Sequence, residues 1–128
     1  MESLQVRTGQ ISLRILDDNG DERGIFKFNP DDVSLAKRVV ELRQEIAEKQ
    51  VDYEVKAASC ETDEQKVDLL VEIVDHYENL IDKCFGEGSS NTLFGDAKSL
   101  SMFGDFFDGI TPYYEKASKN RMAKYKKK

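Results

Sequence analysis

The sequence predicts an α+β fold: an N-terminal β-hairpin, then an antiparallel helical hairpin, then an aromatic-rich helical segment ending in a basic tail. Three observations carry this. Residues 10–16 alternate apolar and polar around a following Asn-Gly turn, two long segments repeat apolar residues at spacings of three and four, and residues 94–114 hold half of the aromatic side chains. A chain of 128 residues suffices for one domain, placed at 1–114 with sub-regions 1–28, 29–87 and 93–114, and residues 115–128 form the tail.

In the hairpin, Ile11, Leu13 and Ile15 share one face of a strand and Phe26 and Phe28 share one face of the next. Between them Asp17-Asp18-Asn19-Gly20-Asp21 is rich in residues that tolerate left-handed dihedrals, a hairpin-turn signature. Leu4, Val6 and Thr8 are read as an extension of the first strand or a further one. Asn29 and Pro30 suit a helix N-cap and first turn, and Asp31 and Asp32 suit the positive end of its dipole. Leu35, Val39, Leu42 and Ile46 then form a narrow apolar stripe, with Lys37/Glu41 and Glu45/Lys49 on the polar side, in a helix running to about residue 57.

Thr62 and Gln65 have the spacing of a capping box. The second helix carries a broad apolar face, with Val67, Leu70, Val71, Val74 and Tyr77 leading to Leu80, Ile81 and Cys84. Glu64, Asp68, Glu72, Asp75, Glu78 and Asp82 are assigned to a solvated face, until Gly86 and Gly88 stop the helix. Beyond it, Leu100, Phe103, Phe107, Ile110 and Tyr114 recur at helical spacing, although Gly104, Gly109 and Pro112 should weaken or kink that helix.

Composition narrows the function. No run approaches the ~18 uncharged residues of a membrane span, and Met1-Glu2-Ser3-Leu4-Gln5 lacks the basic-then-apolar pattern of a secretion signal. Residues 115–128 hold seven bases and one acid, while the other 114 residues hold 24 acids and 12 bases, a charge of −12. Such a body repels a phosphate backbone, so the expected partner is a protein and not nucleic acid. The basic tail, with no aromatic-interleaved groove beside it, permits weak self-association with the acidic body.

Chemical signatures are absent from the pattern. Asp17, Asn19 and Asp21 superficially match a calcium loop, but the glycine falls at the fourth position and Phe28 occupies the twelfth. Gly86-Glu87-Gly88 lacks the Lys-Ser or Lys-Thr of a phosphate loop. His76, the single histidine, is eight positions from Cys84, and neither Cys60 nor Cys84 has metal-ligand spacing. No cofactor and no catalytic residue is therefore expected. The aromatic block admits two readings: closure of the core, or partner binding through Phe94, Leu100, Phe103, Phe106, Phe107, Ile110, Tyr113 and Tyr114.

The run from Cys84 to Asp96, CFGEGSSNTLFGD, with Met102-Phe103-Gly104-Asp105-Phe106-Phe107, Tyr113-Tyr114 and the opening hairpin leading into Phe28-Asn29-Pro30, resembles the tail assembly chaperones of siphophages infecting Gram-positive bacteria. The resemblance implies a non-enzymatic protein of the host cytoplasm, absent from the mature virion. It would keep the tape measure protein soluble and help bring tail tube protein onto it. Many members of that family are made in two forms, the longer by a ribosomal frameshift, with which Lys126-Lys127-Lys128 is compatible. The competing expectation is a small acidic adaptor that binds a basic, DNA-binding partner.

Overall fold

A computed structural model describes residues 1–126, with side chains through residue 123; Lys127 and Lys128 of the basic terminus lie outside the described residues. Two antiparallel strands, β1 (Ile11–Leu16) and β2 (Glu22–Phe28), are followed by helices α1 (Val33–Ser59), α2 (Asp63–Phe85), α3 (Ser89–Phe94) and α4 (Ser101–Lys126). The fold is α+β.

The hairpin register pairs Ile11 with Phe28, Leu13 with Phe26 and Ile15 with Gly24, placing these side chains on one face. The turn is closed by Asp17, whose carboxylate accepts the Asn19 and Asp21 amides at 2.9 and 3.0 Å, and Gly20 supplies a φ of 83°. Gly24 packs closely on α3, since a Cβ there would lie 3.3 Å from the Thr92 methyl. Residues 1–10 form no regular element, so the expected strand extension through Leu4, Val6 and Thr8 is not present. The Thr8 carbonyl is instead held by the Asn29 side-chain amide at 2.8 Å.

That contact also corrects the start of α1. Asn29 makes a turn, its side-chain oxygen accepting the Asp31 amide, and Pro30 is buried ahead of the helix. Asp32 is the N-cap: its carboxylate accepts from the Ser34 and Leu35 amides and, at 2.7 Å, from the Ser34 hydroxyl. The Ser34 hydroxyl bond, more than the amides, holds the Asp32 carboxyl below its usual range. Leu35, Val39 and Leu42 are buried and Ile46 half-buried, as their spacing requires. The Thr62–Gln65 capping box is complete, with bonds of 3.1 and 3.2 Å.

α2 returns antiparallel to α1, and the contact is sealed where Arg38 Nε donates to the Cys84 carbonyl at the negative end of α2. The face it turns inward differs from the one expected. Leu69 and Ile73 are buried with Val74, Leu80, Ile81 and Cys84, whereas Val67, Leu70 and Val71 are exposed. Asp82, assigned to the solvated face, is half-buried and accepts the Ser90 amide and hydroxyl, which fixes the first turn of α3. The intrahelical pairs Lys37/Glu41 and Glu45/Lys49 are not among the ion pairs of the described residues.

α4 lies across the hairpin face and the helical pair. It is continuous through Gly104, Gly109 and Pro112. Proline leaves the carbonyl four residues back without its amide. Thr111 donates its hydroxyl to the Phe107 carbonyl at 2.6 Å in the same turn, and Phe106, Ile110 and Ala117 are buried on either side. Tertiary burial outweighs the local preference. The helix continues through the basic stretch as far as Lys126, with Ala117 buried and Arg121 donating to the Pro30 carbonyl at 3.1 Å.

Candidate polypeptide-binding surface

The aromatic block proves to be the centre of the core. Phe94, Phe103, Phe106 and Ile110 are buried, and Phe107, Tyr113 and Tyr114 are half-buried against them. Phe106 meets the rings of Phe26, Phe85, Phe94 and Phe107 at centroid distances of 5.3–6.1 Å. Phe28 meets Tyr113 and Tyr114, and Phe103 meets Phe94 and Tyr77. Of the eight side chains read as partner anchors, Leu100 alone is exposed. Phe94, Phe103 and Phe106 are taken up by ring–ring contacts in the core, while Phe107, Tyr113 and Tyr114 keep part of their surface exposed. Truncation near residue 92 would accordingly remove core side chains along with any binding surface.

Uncovered apolar surface lies elsewhere, and helix geometry explains it. On α2 the positions 67, 70, 71, 74, 77 and 81 form one continuous stripe. α4 covers it only from about Tyr77, whose ring touches Phe103 at 5.4 Å. Below that level the 95–100 loop is moored by Lys98, which bonds Asp75 at 3.0 Å and Glu78 at 2.8 Å. Both pairings raise the Lys98 ammonium above its ordinary range, the Glu78 bond most. Within one helical turn exposure rises from 3% at Val74 to 46% at Leu70, and Val67 and Val71 are likewise bare. α1 and α2 therefore extend beyond α4 as a two-helix arm, by about 16 Å at 1.5 Å per residue.

The arm is acidic. Residues 47–73 hold eight acids and three bases, and one cross-helix pair, Lys56–Glu72 at 3.4 Å, lies among them. An exposed apolar stripe in a charged frame makes the arm the candidate surface for polypeptide contact.

Among the described residues, His76, Cys84, Tyr114 and Asp17 each have a separate environment. The His76 ring sits between Tyr53 and Tyr77, with centroids 6.2 Å away on each side, and its Nε2 is buried without a hydrogen-bond partner. Burial pushes the Cys84 thiol up to about 11, which keeps it protonated and unreactive. Burial likewise raises Tyr114 to about 12, and its hydroxyl has no partner. The Asp17 carboxylate is spent on backbone amides, and no group of three metal-ligating side chains occurs among the described residues. A groove of about 500 Å³ opens between β1 and α4. Its charged lining consists of Arg14, Asp18, Arg23 and Asp105, with Arg23 bonded to the Phe94 carbonyl at 2.7 Å. No described helix is long and apolar enough to cross a membrane.

Sequence reasoning missed where the apolar surface is. The signal was the length of the helical hairpin against that of the segment available to cover it. Comparison with curated proteins and with solved structures returns no match. A model described as a family of unknown function, DUF6673, matches residues 20–128, from the hairpin turn through α4, and this chain belongs to that family.

Proposed function

We propose that this protein is a tail assembly chaperone of a long-tailed phage, acting in the host cytoplasm by binding and without catalysis. It holds the tape measure protein in solution and helps bring tail tube subunits onto it. The observation that carries the reading is the overrun of the α2 stripe beyond its cover. Val67, Leu70 and Val71 stand bare on an arm with an excess of five negative charges, which pairs apolar contact with charge that keeps a complex dispersed. The sequence resemblance supplies the identity of the client.

Co-expression with the tape measure protein tests it. The chain should bring that protein into the soluble fraction and co-purify with it. A Leu70→Glu/Val71→Glu variant should remain folded and lose most of the recovery. Unchanged recovery would remove the arm from the client site. The acidic arm also favours a second reading, an adaptor that occupies a basic DNA-binding partner. Release of such a partner from DNA by the chain, with no rescue of the tape measure protein, would select it.

A further inference from the structure

α1 carries two apolar stripes where a surface helix needs one. The inner stripe, Leu35, Val39, Leu42 and Ile46, faces the core. The outer one runs Val33, Val40, Ala47, Val51, Val55 and Ala58, all exposed, with half-buried Ala36 and exposed Gln44 filling its gaps at spacings of three and four. Its valines are uncovered to 68, 54, 61 and 68%. A seam one residue wide and about 33 Å long from Val33 to Val55 has the shape of a helix contact. Its small β-branched and alanine side chains let a second axis approach to the near end of the usual 8–10 Å.

Charge selects the occupant. Glu41, Glu48 and Asp52 border the seam on one side together with Lys37, and Glu54 borders it on the other. The other flanking base, Arg43, is engaged by the Phe107 ring at 5.8 Å and the Thr111 hydroxyl at 3.3 Å. A second copy packed antiparallel near Gln44 would set Glu41 against Glu48 and Lys37 against Asp52, each twice by symmetry. In self-pairing the like and unlike pairs offset, whereas a helix flanked by Lys and Arg meets four acids, Glu41, Glu48, Asp52 and Glu54, against Lys37 and the engaged Arg43. We propose that the outer face of α1 docks an amphipathic helix of a partner protein, one whose narrow apolar stripe is flanked by Lys and Arg. Gln44 breaks the apolar seam with a polar group, which fixes the register of the incoming helix. This deepens the client-holding role proposed above and rests on it for the natural occupant.

The test uses the full chain and two synthetic 28-residue helical peptides with the same Ala/Val stripe, one flanked by Lys and Arg and the other by Glu, followed by fluorescence anisotropy. The basic peptide should bind at least tenfold tighter than the acidic one. Val40→Glu/Val51→Glu should weaken it at least tenfold with the melting temperature unchanged, and Glu48→Lys/Asp52→Lys should reverse the preference. Equal binding of both peptides, or undiminished binding by the Val40→Glu/Val51→Glu variant, overturns the proposal. So does a wild-type dimer in sedimentation that the same variant dissolves. Tape-measure recovery on these proteins separates the two proposals. Peptide binding without tape-measure recovery leaves the seam standing and defeats the chaperone reading. Recovery that is equal for wild type and variant, without peptide binding, defeats the seam alone.

Discussion

Replacing Phe106 by alanine distinguishes a core role from a partner-anchoring role for the aromatic block. Phe106 is 8% exposed and lies within 5.3–6.1 Å of four other phenylalanine rings, with the Phe26 and Phe85 contacts edge-to-face at 82° and 86°. Truncating a buried phenylalanine costs about 3–5 kcal/mol through lost transfer energy and the cavity left behind. Edge-to-face pairs add roughly 0.5–1.5 kcal/mol each beyond burial, which places this site in the upper half of that range, about 4 kcal/mol. For a domain of this size about 4 °C is lost per kcal/mol, so the melting temperature should fall by roughly 16 °C. Phe106→Leu, which keeps most of the apolar volume, should cost about 1–1.5 kcal/mol. Urea unfolding followed by circular dichroism measures both. A loss below about 1 kcal/mol for the alanine variant, with client recovery abolished, would show that the ring serves a surface and not the core.

Gly95 has φ of 60° and ψ of −133°, and a Cβ there would collide with the Arg23 guanidinium that bonds the Phe94 carbonyl. Gly95→Ala should cost roughly 2–3 kcal/mol in urea unfolding. Thr62→Ala removes half of the capping box and should cost about 1 kcal/mol. The Cys84 thiol rises from 9.0 to about 11 and Tyr114 from 10.0 to about 12 on folding. Below pH 9 both are neutral in either state; above it the unfolded chain ionises first. Stability should therefore decline from pH 9 upward, by roughly 2 kcal/mol through Cys84 by pH 11, with Tyr114 adding its share between pH 10 and 12. Cys84→Ala should flatten the first part of that decline in pH-dependent melts. In native protein at pH 8, a disulfide reagent should modify half-buried Cys60 readily and Cys84 only on unfolding.

Much of the architecture was legible because single residues dictate it. The period-two run of Ile11, Leu13 and Ile15, the Asn-Gly turn and the Thr62/Gln65 spacing each specify a local geometry that the structure retains. The misreadings share a cause, which is that local patterns do not reveal what covers them. Asn29 and Asp32 are both competent caps, and the buried Pro30 and the Thr8 contact decide for Asp32. Val67, Leu70 and Val71 are as apolar as Leu69 and Ile73, which are buried at the same level of α2 on another face; the level that α4 reaches separates the exposed three from Val74 and Tyr77 on their own stripe. The inner stripe of α1 accounted for a helix, so the outer valines attracted no notice. Gly104, Gly109 and Pro112 lower the helix preference of α4, and the burial of Phe106, Ile110 and Ala117 outweighs them.

Co-expression of the chain with the tape measure protein, with the soluble fraction separated by sedimentation, tests most directly the claim that this protein holds another polypeptide. The account predicts that the tape measure protein becomes soluble, travels with the chain through purification, and is lost when Leu70 and Val71 are made glutamate. A tape measure protein that pellets equally with and without the folded chain would contradict it.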